Sequence, residues 1–294
     1  MALIPAMNDY LLSFLLGIVE GLTEFLPVSS TAHLRISEAL LGIDLSNGYW
    51  KMFSIVIQLG AILCLPIYFR ERIAKFVRSF PRGERGDRTA MTHPLTLTMI
   101  AFVCTAGPAF LLTKVIGKHL ESLKIIGTSL VVGGIVMWVV DVLYERGKLA
   151  RRTDHIEDMT MGQAVWIGLC QILSAVFPGT SRSMSTIAAG QLAGMSRTSA
   201  LEFSFFLSIP TMAAATVYDL LKSVRPHHGE ASVLGQITFT SQSWIVLAIG
   251  FVVSFIVAYG VVAWFMNWVR QRGFVPFAVY RIVVGAAVLY YAMR

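Results

Sequence analysis

Residues 20–33 read EGLTEFLPVSSTAH, which places two carboxylates, two serines, two threonines and a histidine within fourteen positions. Glu20 and Glu24 are four apart, so on a helix they share one face. Such a pair can hold a hard divalent cation, Mg²⁺ or Ca²⁺, through its oxygens. It can also act as acid and base, because close carboxylates push each other's proton affinities apart. Ser29, Ser30, Thr31 and His33 follow directly, at a turn marked by Pro27. A hydroxyl three residues from an imidazole is raw material for an activated nucleophile. The residues leave the nucleophile open between Ser30, His33 and water.

A second stretch supplies the complement. PGTSRS, residues 178–183, sets Gly179, Thr180, Ser181 and Ser183 around Arg182. If a helix starts just after this turn, its unpaired N–H groups and dipole form an anion site. Arg182 adds a planar fork of donors suited to phosphate oxygens. Carboxylates, hydroxyls and histidine on one turn, with a cation and N–H donors on the other, point to hydrolysis of a phosphate ester or anhydride. A purely structural buried network would need neither the serines nor the histidine.

The elements that carry these turns belong to a membrane protein. Hydrophobic residues make up 55% of the 294 and charged residues 14%, against about 25% charged in soluble domains; mean hydropathy is +0.67. Apolar segments long enough to span fall near 53–70, 95–113, 124–144, 203–222, 243–268 and 275–293. Two further segments, near 10–40 and 160–196, are apolar but broken by LPVSST and FPGTSRS. Each reads as a re-entrant helical hairpin, because irregular backbone at membrane depth survives only where protein or water satisfies it. A glutamate at the bilayer centre costs about 2.5–3.5 kcal/mol, so Glu20 and Glu24 must face the interior.

The chain also repeats. Gly17 aligns with Gly168, Glu20 with Gln171, Pro27 with Pro178 and Ser30 with Ser181, at an offset of 151. FSIVIQLGA at Phe53 matches FSFFLSIPT at Phe203, and SLVVGGIVM at Ser129 matches RIVVGAAVL at Arg281, at offsets of 150 and 152. The expectation is one membrane domain over 1–294, built from repeats of about 1–150 and 151–294, each a hairpin plus three spans. Three spans per half require the second half to be inverted, as in inverted-repeat transporters, with the site where the hairpins meet. Gln171, in Glu20's place, should line that cavity. Basic residues cluster at 70–88, 146–152 and 270–272, with seven, four and two Lys or Arg. All three fall on one side, which the positive-inside rule makes cytoplasmic. This distribution explains the pI of about 9.5 without nucleic acid. No Lys or Arg precedes Arg35, so no cleavable signal peptide is expected. Cys64, Cys104 and Cys170 read as core hydrophobes, His227 and His228 as a solvated loop, and Trp138, Trp166, Trp264 and Trp268 as an interfacial belt. Glu202 and Arg281 are expected to pair, and Asp141 to snorkel or meet Arg146.

EGLTEFLPVSSTAH with PGTSRSMST resembles the two signature motifs of the bacterial undecaprenyl-pyrophosphate phosphatases, the bacitracin-resistance family. EDMTMGQA, EFSFFLSIP and PFAVYR are similar to that family too, so the resemblance spans the chain. It implies removal of the terminal phosphate of undecaprenyl pyrophosphate, a prenyl pyrophosphate lipid, in the bacterial inner membrane, with an active site opening outward. It implies that Glu20, Glu24, Ser30 and His33 fill the first motif's functional positions, and Ser181, Arg182, Ser183 and Thr186 the second's. Ala32 and Met184 stand where the family pattern has glycine. A lipid-phosphate transporter or flippase is the alternative that the inverted architecture allows. A two-histidine lipid phosphatase fits poorly, since residues 183–190 hold no histidine. A homodimer, and a divalent cation on Glu20 and Glu24, stay open.

Overall fold

The computed structural model describes residues 8–44, 47–112, 122–224 and 240–293. The histidines at 227 and 228, and most of the expected outer loops at 114–123 and 223–242, lie outside the described residues. Among the described residues the protein is all-helical, with eleven α-helices: α1 Asp9–Thr23, α2 Ser30–Leu40, α3 Gly48–Tyr68, α4 Arg70–Ser79, α5 Pro94–Leu111, α6 Leu123–Glu145, α7 Met161–Val176, α8 Arg182–Leu192, α9 Arg197–Val224, α10 Ser241–Arg272 and α11 Val275–Ala292. Six of them, α3, α5, α6, α9, α10 and α11, are long and apolar enough to cross a membrane, at the positions the hydropathy pattern predicts. The protein is a multi-pass membrane protein.

The broken segments form short helices instead. α1 and α2 have 15 and 11 residues, α7 and α8 have 16 and 11. At 1.5 Å per residue none of them reaches across a core of about 30 Å. α1 packs on α2, and α7 packs on α8, across the turns at 24–29 and 177–181.

The chain forms two compact units. The first comprises Met1–Phe25, Ser30–Tyr68 and Thr211–Val262. Its core joins Leu12, Leu16, Leu34, Phe53, Ile57 and Val246. Gly17 and Gly21 admit α10 so closely that a Cβ on either would lie 2.9 Å from Gly250 O or 2.7 Å from Val257 Cβ. This is the small-residue packing that membrane helices use where no hydrophobic effect drives association. Ser254 Oγ donates to Ile57 O at 2.7 Å, and Ser13 Oγ to Val246 O at 2.6 Å.

The second unit comprises Leu26–Ser29, Phe69–Pro210 and Ala263–Arg294. Its broadest helix contact is α6 on α11, with Gly127, Gly134 and Gly285 at the crossing. Within the basic segment 70–88, residues Arg70–Ser79 form the helix α4. Phe76 is buried on its inner face, and Arg72 grips Glu157 (Nη2 to Oε2, 2.9 Å) and Glu202 (Nε to Oε1, 2.9 Å).

Two expected polar pairings are therefore different in the structure. Glu202 meets Arg72, not Arg281, because α4 folds a cation onto that end of α9. Asp141 neither snorkels nor meets Arg146. It is fully buried and accepts from Arg197 Nε at 2.7 Å, Gln191 Nε2 at 3.1 Å and the Phe274 N–H at 2.8 Å. A buried carboxylate is stable only when its lone pairs are filled, and three donors from three elements fill them here. Cys64, Cys104 and Cys170 are free thiols.

Candidate active site

The first cluster lies in the first unit. α1 carries Glu20 on its buried face, and Glu24 caps its C-terminal end. The chain then turns, and α2 begins at Ser30. Ser30 Oγ donates to Glu24 Oε2 at 2.6 Å, closing the base of the turn. Both groups are buried, at 8% and 6% exposure. A bond this short between a hydroxyl and a carboxylate is charge-assisted, and it pairs a nucleophile with a base. Both oxygens of Glu20 are buried without a hydrogen-bond partner among the described residues, and its carboxylate neighbours are Glu24 and Glu38. Glu38 accepts from Arg35 at 3.2 Å and Ser54 at 2.8 Å. No sequence feature had singled it out, since it lies beyond the motif. His33 is half-buried, three residues past Ser30 and on its face of α2, and Thr31 is exposed.

The second cluster lies in the second unit and includes the first hairpin's turn. Ser181 caps α8, its Oγ accepting from the Met184 N–H at 3.3 Å. Ser183 Oγ donates to Leu26 O at 3.0 Å, so the head of α8 meets the turn of the first hairpin. Arg182 reaches α9, where its Nη1 donates to Ser204 O at 3.3 Å and to Ser208 Oγ. Thr186 Oγ1 lies 2.7 Å from Ser204 Oγ. The Ser204 carbonyl and the Ser208 hydroxyl, four residues apart on α9, thus orient Arg182. Their i, i+4 spacing inside EFSFFLSIP was the signal that could have found them. Gln171 goes elsewhere: its Nε2 donates to Thr105 Oγ1 at 3.0 Å, tying α7 to α5.

The turns share a backbone device. Ser29 and Ser181, each immediately before a helix, have φ of 74° and 72°. Non-glycine residues rarely hold that conformation, and they keep it only where the surrounding structure over-determines it. Glycine itself is required at Gly179, where φ is 91° and a Cβ would lie 2.6 Å from Ile126 O. The structural correspondence is Ser29 with Ser181, one residue off the alignment that pairs Ser30 with Ser181, because the second turn has one more residue after its proline. Ala32 and Met184 lie inside α2 and α8. Helical backbone accepts any side chain of the right size, so glycine is not needed at either position.

An apolar cavity of about 390 Å³ opens beside Thr180 in the second unit, between α6, α7 and α8. Val132, Val136, Leu173, Phe177 and Leu192 line it, and all five are exposed at the outer surface.

A family model described as bacitracin resistance protein BacA matches residues 13–287. The chain belongs to this family. It is 70% identical over 98% of its length, and over all of the relative, to an undecaprenyl-diphosphatase of Koribacter versatilis. It is 40% identical to an undecaprenyl-diphosphatase of Caldanaerobacter subterraneus subsp. tengcongensis, over 95% of this chain and 94% of the relative. A third, from Sorangium cellulosum, is 42% identical over 94% and 84%. The family's match runs from within α1 to within α11 and takes in both interrupted turns.

Proposed function

We propose that the protein is an undecaprenyl-diphosphatase, hydrolysing undecaprenyl pyrophosphate to undecaprenyl phosphate and inorganic phosphate, and so returning the lipid carrier to cell-wall synthesis. The observation that carries the chemistry is the 2.6 Å bond from Ser30 to Glu24. Full-length relatives at 40–70% identity, all named undecaprenyl-diphosphatase, support the substrate.

In this reading Arg182 and the first-turn N–H groups of α8 bind the pyrophosphate, as helix N-termini bind phosphate elsewhere. The Ser30 oxygen attacks the terminal phosphorus while its proton passes to Glu24. The bond from phosphorus to the bridging oxygen breaks, and undecaprenyl phosphate leaves with that oxygen. Water then attacks the phosphoserine, giving its proton to His33, while Glu24 returns its proton to the Ser30 oxygen as that phosphorus–oxygen bond breaks and inorganic phosphate leaves. Arg182 stabilises the charge that builds on the phosphoryl oxygens. The buried, unpartnered oxygens of Glu20 suit a hard cation. Glu20 and Glu24 would hold Mg²⁺ or Ca²⁺, which supplies charge neutralisation to a phosphate. The apolar cavity would take part of the prenyl chain. An apolar cavity of about 150 Å³ holds one benzene-sized ring, so this one has room for a few isoprene units.

The reading extends to topology. The segments at 70–88, 146–152 and 270–272 would face the cytoplasm of a bacterial inner membrane, with the active site open to the outer face. Each half would contribute one re-entrant hairpin in inverted orientation. The matched helix lengths and the shared left-handed serines support that duplication.

The test is phosphate release from a prenyl pyrophosphate by purified protein, with and without chelator. Release that disappears in Ser30→Ala supports the assignment. Movement of lipid across vesicles with no phosphate released would replace it with a transporter. Cysteines placed at 84 and 229 should differ, with only the latter labelled from outside intact cells by an impermeant reagent.

A further inference from the structure

Arg281 is a fully buried cation for which the motifs gave no role. It sits on α11 at 0% exposure and makes no ion pair among the described residues. Its guanidinium instead gathers four backbone carbonyls. Nη1 donates to Pro27 O at 3.0 Å. Nη2 donates to Thr180 O at 2.9 Å, Gly179 O at 3.1 Å and Ser129 O at 3.2 Å. Three of the four acceptors belong to the two hairpin turns, and the fourth anchors the group to α6. Gly133 on α6 makes the room, since a Cβ there would overlap Nη2.

A lone buried guanidinium is an expensive way to fill space, and an apolar residue of similar volume packs at lower cost. What the planar fork supplies is simultaneous reach to several acceptors in fixed directions. The peptides it holds lead into the strained positions. Gly179 and Thr180 precede Ser181, and Pro27 precedes Ser29 by two residues. Left-handed serines persist only where surrounding contacts over-determine them. Because a trans peptide sets its C=O and the following N–H in opposite directions, drawing Thr180 O toward Arg281 turns the Ser181 N–H away from it, at the start of α8.

We propose that Arg281 is a positioning residue that latches both hairpin turns and so sets the direction of the backbone donors at the head of α8. The assignment of those donors to phosphate rests on the phosphatase reading above; the latch itself does not.

Two measurements separate the claims. The first is hydrogen–deuterium exchange without substrate, in wild type and Arg281→Lys. Lysine keeps the charge and loses the fork, so amides of both turns, 26–30 and 179–183, should exchange about 10-fold or more faster together, with α6 and α11 unchanged. Unchanged exchange at either turn overturns the latch, whatever the enzyme's activity. The second is turnover per folded molecule. Arg281→Lys should lose about 10²-fold in kcat, the range that a misplacement of about 1 Å costs, with KM within a few-fold and melting temperature near wild type. Gly133→Ala, which crowds the guanidinium, should lose kcat in the same way. Gly134→Ala, which crowds Ala278 O and Ile282 at 2.8 Å and meets Arg281 only at its Cβ, 3.2 Å away, rather than at the guanidinium, should lower melting temperature and keep kcat. If Arg281→Lys fails to fold, the Gly133 and Gly134 pair decides. Equal kcat in those two variants, after correction for folded fraction, leaves Arg281 a packing residue and removes the proposal.

Discussion

The turn at residues 24–30 and the turn at 177–182 each set a serine in the left-handed region immediately before an 11-residue helix. Their chemistry is opposite. The first is closed by Ser30 on Glu24, a hydroxyl on a carboxylate. The second is capped by Ser181 and carries Arg182, which α9 holds through Ser204 and Ser208. One backbone solution thus presents an anion in one place and a cation in the other. The turn geometry supplies orientation, and the residues at its edges supply sign. The helices before the turns diverge likewise. Glu20 is buried with unpartnered oxygens, whereas Gln171 is bonded to Thr105.

The largest expected effects break the first turn. Glu24→Gln and Ser30→Ala should each lower turnover by about 10²–10⁴, the range for general acid–base catalysis. Groups that act as a unit are not additive, so the double variant should match the worse single. Kinetics on the three proteins check this, and a double variant at the product of the two losses would separate Ser30 from Glu24.

The next effect belongs to the second turn. Arg182→Lys keeps charge and loses the fork, so kcat should fall by about 10²–10³ with folding intact. Ser208→Ala, which removes one acceptor of Arg182 and leaves the guanidinium itself in place, should cost less. Equal losses in the two would mean that α9, not Arg182, supplies the interaction.

Smaller effects sharpen the contrast of Glu20 with Gln171. Gln171→Ala should lower stability by about 0.5–1.5 kcal/mol through the lost bond, because Thr105 Oγ1 keeps its donation to Gly168 O at 2.7 Å, and should keep most turnover per folded molecule. Glu20→Gln should do the reverse, since a neutral amide is cheaper to bury than a carboxylate. Melting and turnover on the same detergent samples distinguish the two. Turnover lost in Gln171→Ala would place that amide in the site.

The smallest effect concerns the shared device. Ser29→Gly removes a left-handed penalty of about 1–2 kcal/mol, offset by glycine's greater unfolded-state entropy, and should stabilise by at most about 1 kcal/mol. Ser181→Gly should gain less, because it also gives up the bond to Met184 N–H. A loss of more than about 1 kcal/mol in Ser29→Gly would show that its side chain, not its backbone, holds the turn.

The sequence by itself determined the class of protein, the six spans, the two interrupted hairpins and the residues of both motifs. Those features are written in local pattern. Apolar runs of about 20 residues have no soluble interpretation, and proline with clustered hydroxyls interrupts such a run wherever it occurs. Tertiary structure alone decided which polar groups meet. Arg72 is in a segment that reads as a charged loop, yet a helix carries it to Glu202 and Glu157. Arg197 reaches Asp141 across 56 positions, and Arg281 reaches Pro27 across 254. Side-chain partners at such separations follow from helix packing, where glycines at the crossings set the approach. The four acceptors of Arg281 are main-chain carbonyls, which every residue possesses. No side-chain pattern marks them, and only a folded backbone can aim them at one guanidinium.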